Sequence, residues 1–460
     1  MKRSFVLLLT FLLNSLLGEQ TFTLEEAIER ALTCNRSLII SANNIENALL
    51  GIGISETEFD YKLAPILKTG YGEGKVEGKG YKYGGGVDFS KKFFQGTSIN
   101  VKPQAYSTNG QWCTDVNARL TVPVLRGFGA DVNLSRFRSS EFTYRSAVRQ
   151  HSLNQVRIIL QTIQSVYEVI KQEENLHISA ESFERLVGFR DSAEVKERIG
   201  LADQTDVLRA EIEMKAAEVS LVAAEEKYRE AKDNLKLVLA YPMDEDIAVE
   251  APLEYHENDF HLDEAIEVSL NRRLEIKQAI DKYCESKRLS RIAKKQLWPD
   301  LNLVLNYVNS ECDESFTTSV VKCCQGTTWG VGVTSNGNLD YNANRLMYEQ
   351  SQISVINSQR TIDQTRDDVI NEVKRQAIAM DKARQSIELR REQIEKAQEK
   401  LELSQVKFNH GLINNFDVID PEKTIRNSEK DLLAAIVDHI IAEYRLLAAM
   451  GLMVGDDCLE

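Results

Sequence analysis

The chain has 460 residues, long enough for a large core or several domains. Its formal net charge of -14 excludes the basic footprint that general nucleic-acid binding needs. Charged residues make up 27% and there are only 7 prolines, which favours long, polar-faced helices over a loop-rich fold.

The N-terminus, "MKRSFVLLLTFLLNSLLGEQ", has a basic start at Lys2 and Arg3 and an apolar centre from Phe5 to Leu13. Small residues at Ser15 and Gly18 supply cleavage positions, so residues 1–18 read as a secretory signal peptide. Cleavage after Gly18 removes two cations and no acid, taking the charge from -14 to -16. No later segment has the apolar run of a transmembrane helix. A membrane anchor or buried helix is the other reading of the leader.

"FTLEEAIERALTCNRSL", starting at Phe22, opens the mature chain with an amphipathic helical pattern. The stretch Gly70 to Gly80 has glycine and lysine without phosphate-loop spacing, and it reads as a surface turn. Between Tyr81 and Tyr106, Val87, Phe89 and Phe93 precede a "QGTS" turn, after which Ile99 and Val101 resume alternation, as in a β-hairpin. In "DVNARLTVPV", Val116, Ala118, Leu120, Val122 and Val124 share one side of a strand, opposite Asp115, Asn117, Arg119 and Thr121.

Leu134 to Glu197 has almost no glycine or proline, and as one helix would span roughly 95 Å. Ile159, Ile163, Val166 and Ile170 form a single narrow face there. Leu301, Leu303, Leu305 and Tyr307 then alternate with Asn302 and Asn306, and Trp329, Val331 and Val333 share a strand face. The run Tyr341 to Phe408 would span roughly 100 Å, with Val355, Ile362 and Val369 at heptad spacing. Such stripes suit coiled-coil packing.

The seven cysteines are Cys34, Cys113, Cys284, Cys312, Cys323, Cys324 and Cys458. An exported protein permits disulfides. Cys312, Cys323 and Cys324 lack zinc spacing, so a loop disulfide among them is expected rather than a metal site. The six histidines form no metal-ligand pair, the serines show no nucleophile context, and no cofactor is expected.

The chain repeats itself. "FHLDEAIEVSLNRRLEI" from Phe260 copies the opening at Phe22, an offset of 238. "VKFNHGLINNFDVIDPE" from Val406 copies "VKERIGLADQTDVLRAE" from Val195, an offset of 211. The first half therefore carries 27 extra residues between its landmarks, about the length of one hairpin. The expected organisation is a first repeat at 19–257 and a second at 258–460. Each has short helices, a β-hairpin and two long helices, and the surplus hairpin falls in the first. About four principal strands are too few to close a barrel alone, and a spanning sheet cannot leave open edges in lipid. Either several chains share the barrel, or the strands lie outside the membrane.

With these pieces in order, the chain resembles the TolC-family outer membrane factors (outer membrane efflux proteins). The resemblance rests on the leader, "LEEAIERAL" and its repeat, "LTVPVLRGFGADVNLSRFRSSE" at the strand-to-helix transition, and "GLINNFDVIDPE" at the helix turn. It implies a mixed α/β membrane protein in two tandem structural repeats. A long α-helical coiled-coil tunnel in the periplasm would join a transmembrane β-barrel in the outer membrane. The barrel would be shared by a homotrimer, four strands from each protomer making twelve. The implied function is efflux or type I secretion with a periplasmic adaptor and an inner-membrane transporter, and no chemistry.

The resemblance also implies that Asp417 and Asp420, three residues apart, ring the periplasmic aperture and favour cations. Asp206 occupies the position of Asp417 in the first repeat, but Arg209 stands where the second repeat has Asp420. Phe408 and Ile413 stand where the family has the tyrosine and arginine that hold the aperture closed. The competing reading of Asp420 is a helix N-cap before Pro421 at the first helical position. Other readings of the whole chain are a hydrolase using Asp417 and Asp420, a periplasmic adaptor, and an exported coiled-coil scaffold without a pore.

Overall fold

The computed structural model describes residues 20–74, 78–108, 110–200, 202–253, 261–322, 327–335, 342–410, 412–413 and 416–453. The leader expected at 1–18 lies outside them, as do Cys323 and Cys324. In chain order the elements are β1 (Gln20–Thr23), α1 (Leu24–Cys34), α2 (Arg36–Glu56), a 3-10 turn (Thr57–Phe59), β2 (Lys62–Gly74), β3 (Gly78–Lys92), β4 (Ser98–Thr108) and β5 (Gln111–Pro123). The short α3 (Ala130–Asn133), α4 (Ser135–Arg198), α5 (Gln204–Leu239) and β6 (Ile247–Glu250) follow. Then come α6 (Leu262–Arg272), α7 (Leu274–Lys295), β7 (Asn302–Asp313), α8 (Phe316–Lys322), β8 (Thr327–Thr334), α9 (Asn342–Asn409) and α10 (Phe416–Ala449). No described helix is long and apolar enough to cross a membrane.

Two compact units form, and each draws on both halves of the sequence. One comprises 1–43, 149–274 and 366–460; the other comprises 44–148 and 275–365.

The first unit is helical. α1 is fixed by a capping box: the Glu26 N–H donates to Thr23 Oγ1 at 3.3 Å, and the Thr23 N–H donates to Glu26 at 3.0 Å. Ala27 and Ala31 of α1, with Ile158, Val166 and Val169 of α4, pack on Leu235 and Leu239 of α5 and on Phe22, Ile247 and Val249 of the strands. β1 and β6 pair in parallel. Buried alanines 210, 217, 224 and 231 recur every seven residues on α5, a seam small enough to let neighbouring helices approach closely. Val373 and Met380 of α9 meet Ala442, Leu446 and Ala449 of α10. Ile163 and Tyr167 of α4 meet Val437 and Ile440 of α10.

The second unit is built on one antiparallel sheet, in the order β2-β3-β4-β5-β7-β8. The hairpin expected between Tyr81 and Tyr106 is strand, turn and strand, and it lies within this sheet, which thereby reaches six strands. Its turn closes at Gly96, where φ is +98° and a Cβ would come within 2.6 Å of Asn133 and of the Gly127 carbonyl. Of the glycine-rich stretch expected as a surface turn, residues 70–74 end β2 and residues 78–80 begin β3, while residues 75–77 lie outside the described residues. The "LRGFG" corner turns the chain from β5 into α4. The Val124 N–H donates to the Leu301 carbonyl at 2.8 Å, and Asn133 Nδ2 donates to the Gly127 and Gly129 carbonyls at 2.8 and 3.1 Å. Beside it, Arg288 of α7 donates to the Ser135 carbonyl at 3.3 Å and to Ser139 at 2.9 Å.

The expected loop disulfide is not what Cys312 makes. It bonds Cys113 across the β5–β7 pair, where the register sets the two residues opposite each other. A cross-strand partner already in place wins over a loop partner that must be brought in.

Candidate functional site

In the helical unit, the segments predicted to form the aperture are the end of α4 with the start of α5, and the end of α9 with the start of α10. Asp203 caps α5, accepting from the Gln204 N–H at 2.7 Å. Asp206 follows in the first turn, with Arg209 Nη1 at 4.0 Å, so the first-repeat acid has a cation one turn away.

α10 begins at Phe416, which puts Pro421 inside the helix and Asp420 in its second turn. This overturns the reading of Asp420 as an N-cap. Pro421 has no N–H for the Asp417 carbonyl, a loss the helix tolerates close to its start. The Asp420 carboxylate instead accepts from Lys400 of α9 at 2.8 Å, both side chains about half exposed. Asp417 is exposed and has no side-chain partner among the described residues. The three acids are therefore not equivalent: two have a cation beside them and Asp417 does not.

Phe408, at the end of α9, is held by Lys196 of α4. The ammonium donates to the Phe408 carbonyl at 3.0 Å and lies over its ring. Burial pushes the Lys196 pKa down. Ile413 is half-buried. Lys196 is not legible in the sequence, because its partner is set by helix packing and not by spacing.

A second cluster, also invisible in sequence, joins α4 to α10. Arg185 pairs with Glu422, whose side chain is 4% exposed, and also with Glu181 at 3.3 Å. Arg426 and Lys430 of α10 donate to Ser182 and Ser179 of α4 at 3.2 and 2.8 Å. Burial, with Arg426 and Lys227 nearby, lowers the Lys430 pKa. Among the described residues no group of three metal-ligating side chains comes together.

In the sheet unit, register sorts side chains onto two faces. One face has Leu63, Leu67 and Tyr71 of β2, Tyr81, Tyr83 and Phe89 of β3, and Ile99 and Val101 of β4. It continues through Val116, Ala118, Leu120 and Val122 to Leu303, Leu305 and Tyr307, then Trp329, Val331 and Val333. Much of it is bare: Leu67 is 88% exposed and Trp329 77%. Aromatic side chains gather at both ends. Tyr71 meets Tyr81 and Tyr83 meets Trp112 at one end, and Tyr61 stacks on Phe89 at the other. An apolar band between aromatic rims is the pattern of a lipid-facing barrel wall.

The opposite face is polar and hydrogen-bonded across strands. Lys68 donates to Gln104 at 2.8 Å, Gln104 donates to Asp115 at 3.3 Å, and Ser310 also donates to Asp115. Asn100 donates to Asp88 at 2.6 Å, and Arg119 donates to Asn306 at 2.9 Å. Gly84 and Gly86 face this side opposite Tyr106 and Gln104. A Cβ at either would lie 2.4–2.8 Å from those residues, so only glycine fits.

Residues 265–452 match the family model described as outer membrane efflux protein. No curated protein matches the chain in sequence. Among solved structures, the chain is similar to the CmeC outer membrane channel of Campylobacter jejuni, with a TM-score of 0.72 and 13% identity, covering 93% of this chain and 85% of that one. It is similar to the outer membrane protein VceC of Vibrio cholerae, with a TM-score of 0.72, 12% identity and coverage of 93% and 96%. It is also similar to the open state of the MtrE outer membrane channel of Neisseria gonorrhoeae, with a TM-score of 0.69, 15% identity and coverage of 93% and 88%. Residues 265–452 thus carry the match to the outer membrane efflux protein family, and the fold of the chain is that of the TolC-family outer-membrane channels.

Proposed function

We propose that the chain is one protomer of a homotrimeric outer-membrane channel-tunnel. It exports solutes or proteins with a periplasmic adaptor and an inner-membrane transporter, and its helices form the periplasmic tunnel. The observation that carries this reading is the two-faced sheet with β2 and β8 at its edges. Its exposed apolar face suits lipid, and in lipid an open sheet edge is not viable. A second copy supplies the missing neighbour: β8 runs antiparallel to the β2 it would meet. Three six-stranded sheets closed in this way hold eighteen strands instead of twelve, a size that leaves an aqueous channel. An exported scaffold or an adaptor has no use for the bare apolar face with aromatic rims.

At the tunnel entrance, Asp417 is the acid that threefold symmetry would turn into a cation-favouring ring. Asp420 and Asp206 are softened by Lys400 and Arg209, while Phe408 and Ile413 lie next to the aperture. The test of the channel reading is fractionation with semi-native gels. A heat-modifiable trimer in the outer-membrane fraction is expected; monomers confined to the soluble periplasm would reject it.

A further inference from the structure

We propose that the polar face of the sheet is an anion-preferring section of the conduit, and that the transported solutes include anionic ones. This rests on the channel reading, which makes that face the wall of the pore.

Register assigns to this face Lys62, Lys68, Lys82, Lys92, Lys102 and Arg119. Its carboxylates are Asp88 and Asp115. β7 and β8 add no charged side chain to it; their contributions are asparagine, serine, threonine, glycine, valine and Cys312. Among the described residues, and leaving out Lys82, which has a partner of its own, five cations against two carboxylates leave three positive charges per chain. Two remain if Glu58, which pairs with Lys92 at 2.6 Å from the 3-10 turn, is counted with them. The chain as a whole has the opposite sign, -14. Composition therefore does not produce this balance; placement does.

The hydrogen bonding keeps the excess positive. Asp88 is neutralised by Lys102 at 2.8 Å and also accepts from Asn100. Asp115 accepts from Gln104 and Ser310. Lys68 and Arg119 donate to the neutral amides Gln104 and Asn306, which orient the cations without cancelling their charge. Symmetry repeats each cation three times around the wall. Rings of lysine and arginine favour anions in a pore, and a low-dielectric wall concentrates their field.

The test is the reversal potential of the full-length protein in planar bilayers under an asymmetric KCl gradient. The variant Lys62→Gln/Lys68→Gln/Arg119→Gln removes three of these cations while keeping a polar side chain at each site. The chloride-to-potassium permeability ratio should fall severalfold, with the trimer band retained. Asp88→Asn should raise the ratio. An unchanged ratio in a conducting triple variant overturns the proposal. Inorganic pyrophosphate tests the wild type without mutation: added on the sheet side, it should block the current in a salt-dependent way. Absence of any block also overturns the proposal, even if the triple variant does not assemble. A wild-type protein that forms no pore at all overturns the channel reading itself.

Discussion

Replacing Arg185 with methionine removes the cation that balances Glu422 between α4 and α10. Glu422 is 4% exposed at its side chain and Arg185 39%. Burial opposes the guanidinium charge, but the bonds to Glu422 and Glu181 outweigh it and push the Arg185 pKa up. Breaking a fully buried pair by removing one partner costs about 3–5 kcal/mol. An exposed pair is worth about 0.2–1 kcal/mol. With one partner buried and the other open to water, a loss of about 2 kcal/mol per protomer lies between these limits. Adding Glu422→Gln removes the stranded charge and should recover about half of it. Urea unfolding of the full chain in detergent, followed by far-UV circular dichroism, reads both numbers. A cost below about 0.5 kcal/mol for Arg185→Met, a typical surface value, would refute the reasoning. So would a double variant no more stable than the single one.

Glu429 gives a pH-dependent counterpart: burial raises its pKa, Arg185 partly relieves this, and Glu422 and Glu181 add to it. A carboxyl whose folded pKa is raised costs stability only when ionised, so Glu429→Gln should stabilise the protein at neutral pH. That gain should vanish as the pH falls toward about 4, the unfolded carboxyl range; a constant gain across the range would be wrong for this cause. At the proposed aperture, Asp417→Ala should weaken block by multivalent cations, whereas Lys400→Ala, which frees the Asp420 carboxylate, should strengthen it; bilayer recordings distinguish the two. Replacing both Cys113 and Cys312 with serine should cost about 2–5 kcal/mol and lower the heat resistance of the trimer, with the helical dichroism unchanged. On non-reducing gels the wild type alone should change mobility on reduction.

The long helices were legible because a narrow apolar stripe continued without glycine or proline. The runs read as 134–197 and 341–408 form helices at 135–198 and 342–409. Strand faces were legible for the same kind of reason, since a period of two leaves little choice of side. What failed was whatever depended on a distant partner. β1 and β6 are four residues each and pair across more than 200 residues, with no local pattern strong enough to announce them. The Cys113–Cys312 bond needs the register between β5 and β7, while the sequence offers only the nearness of Cys323 and Cys324. The family resemblance pointed to Asp417 and Asp420 as aperture acids, yet Asp420 could not be separated from a cap without the true start of α10. Lys400, Lys196 and Arg185 find their partners through helix packing, which spacing along one strand of sequence does not encode.

The central claim, that copies of this chain close their sheets into one shared pore, is tested most directly by single-particle electron microscopy of the detergent-extracted protein. The account predicts a threefold particle whose barrel has eighteen strands, with β8 of each copy beside β2 of the next and the lysine-rich face inward. A monomeric particle, or a trimer whose barrel leaves β2 and β3 outside the wall, would contradict it.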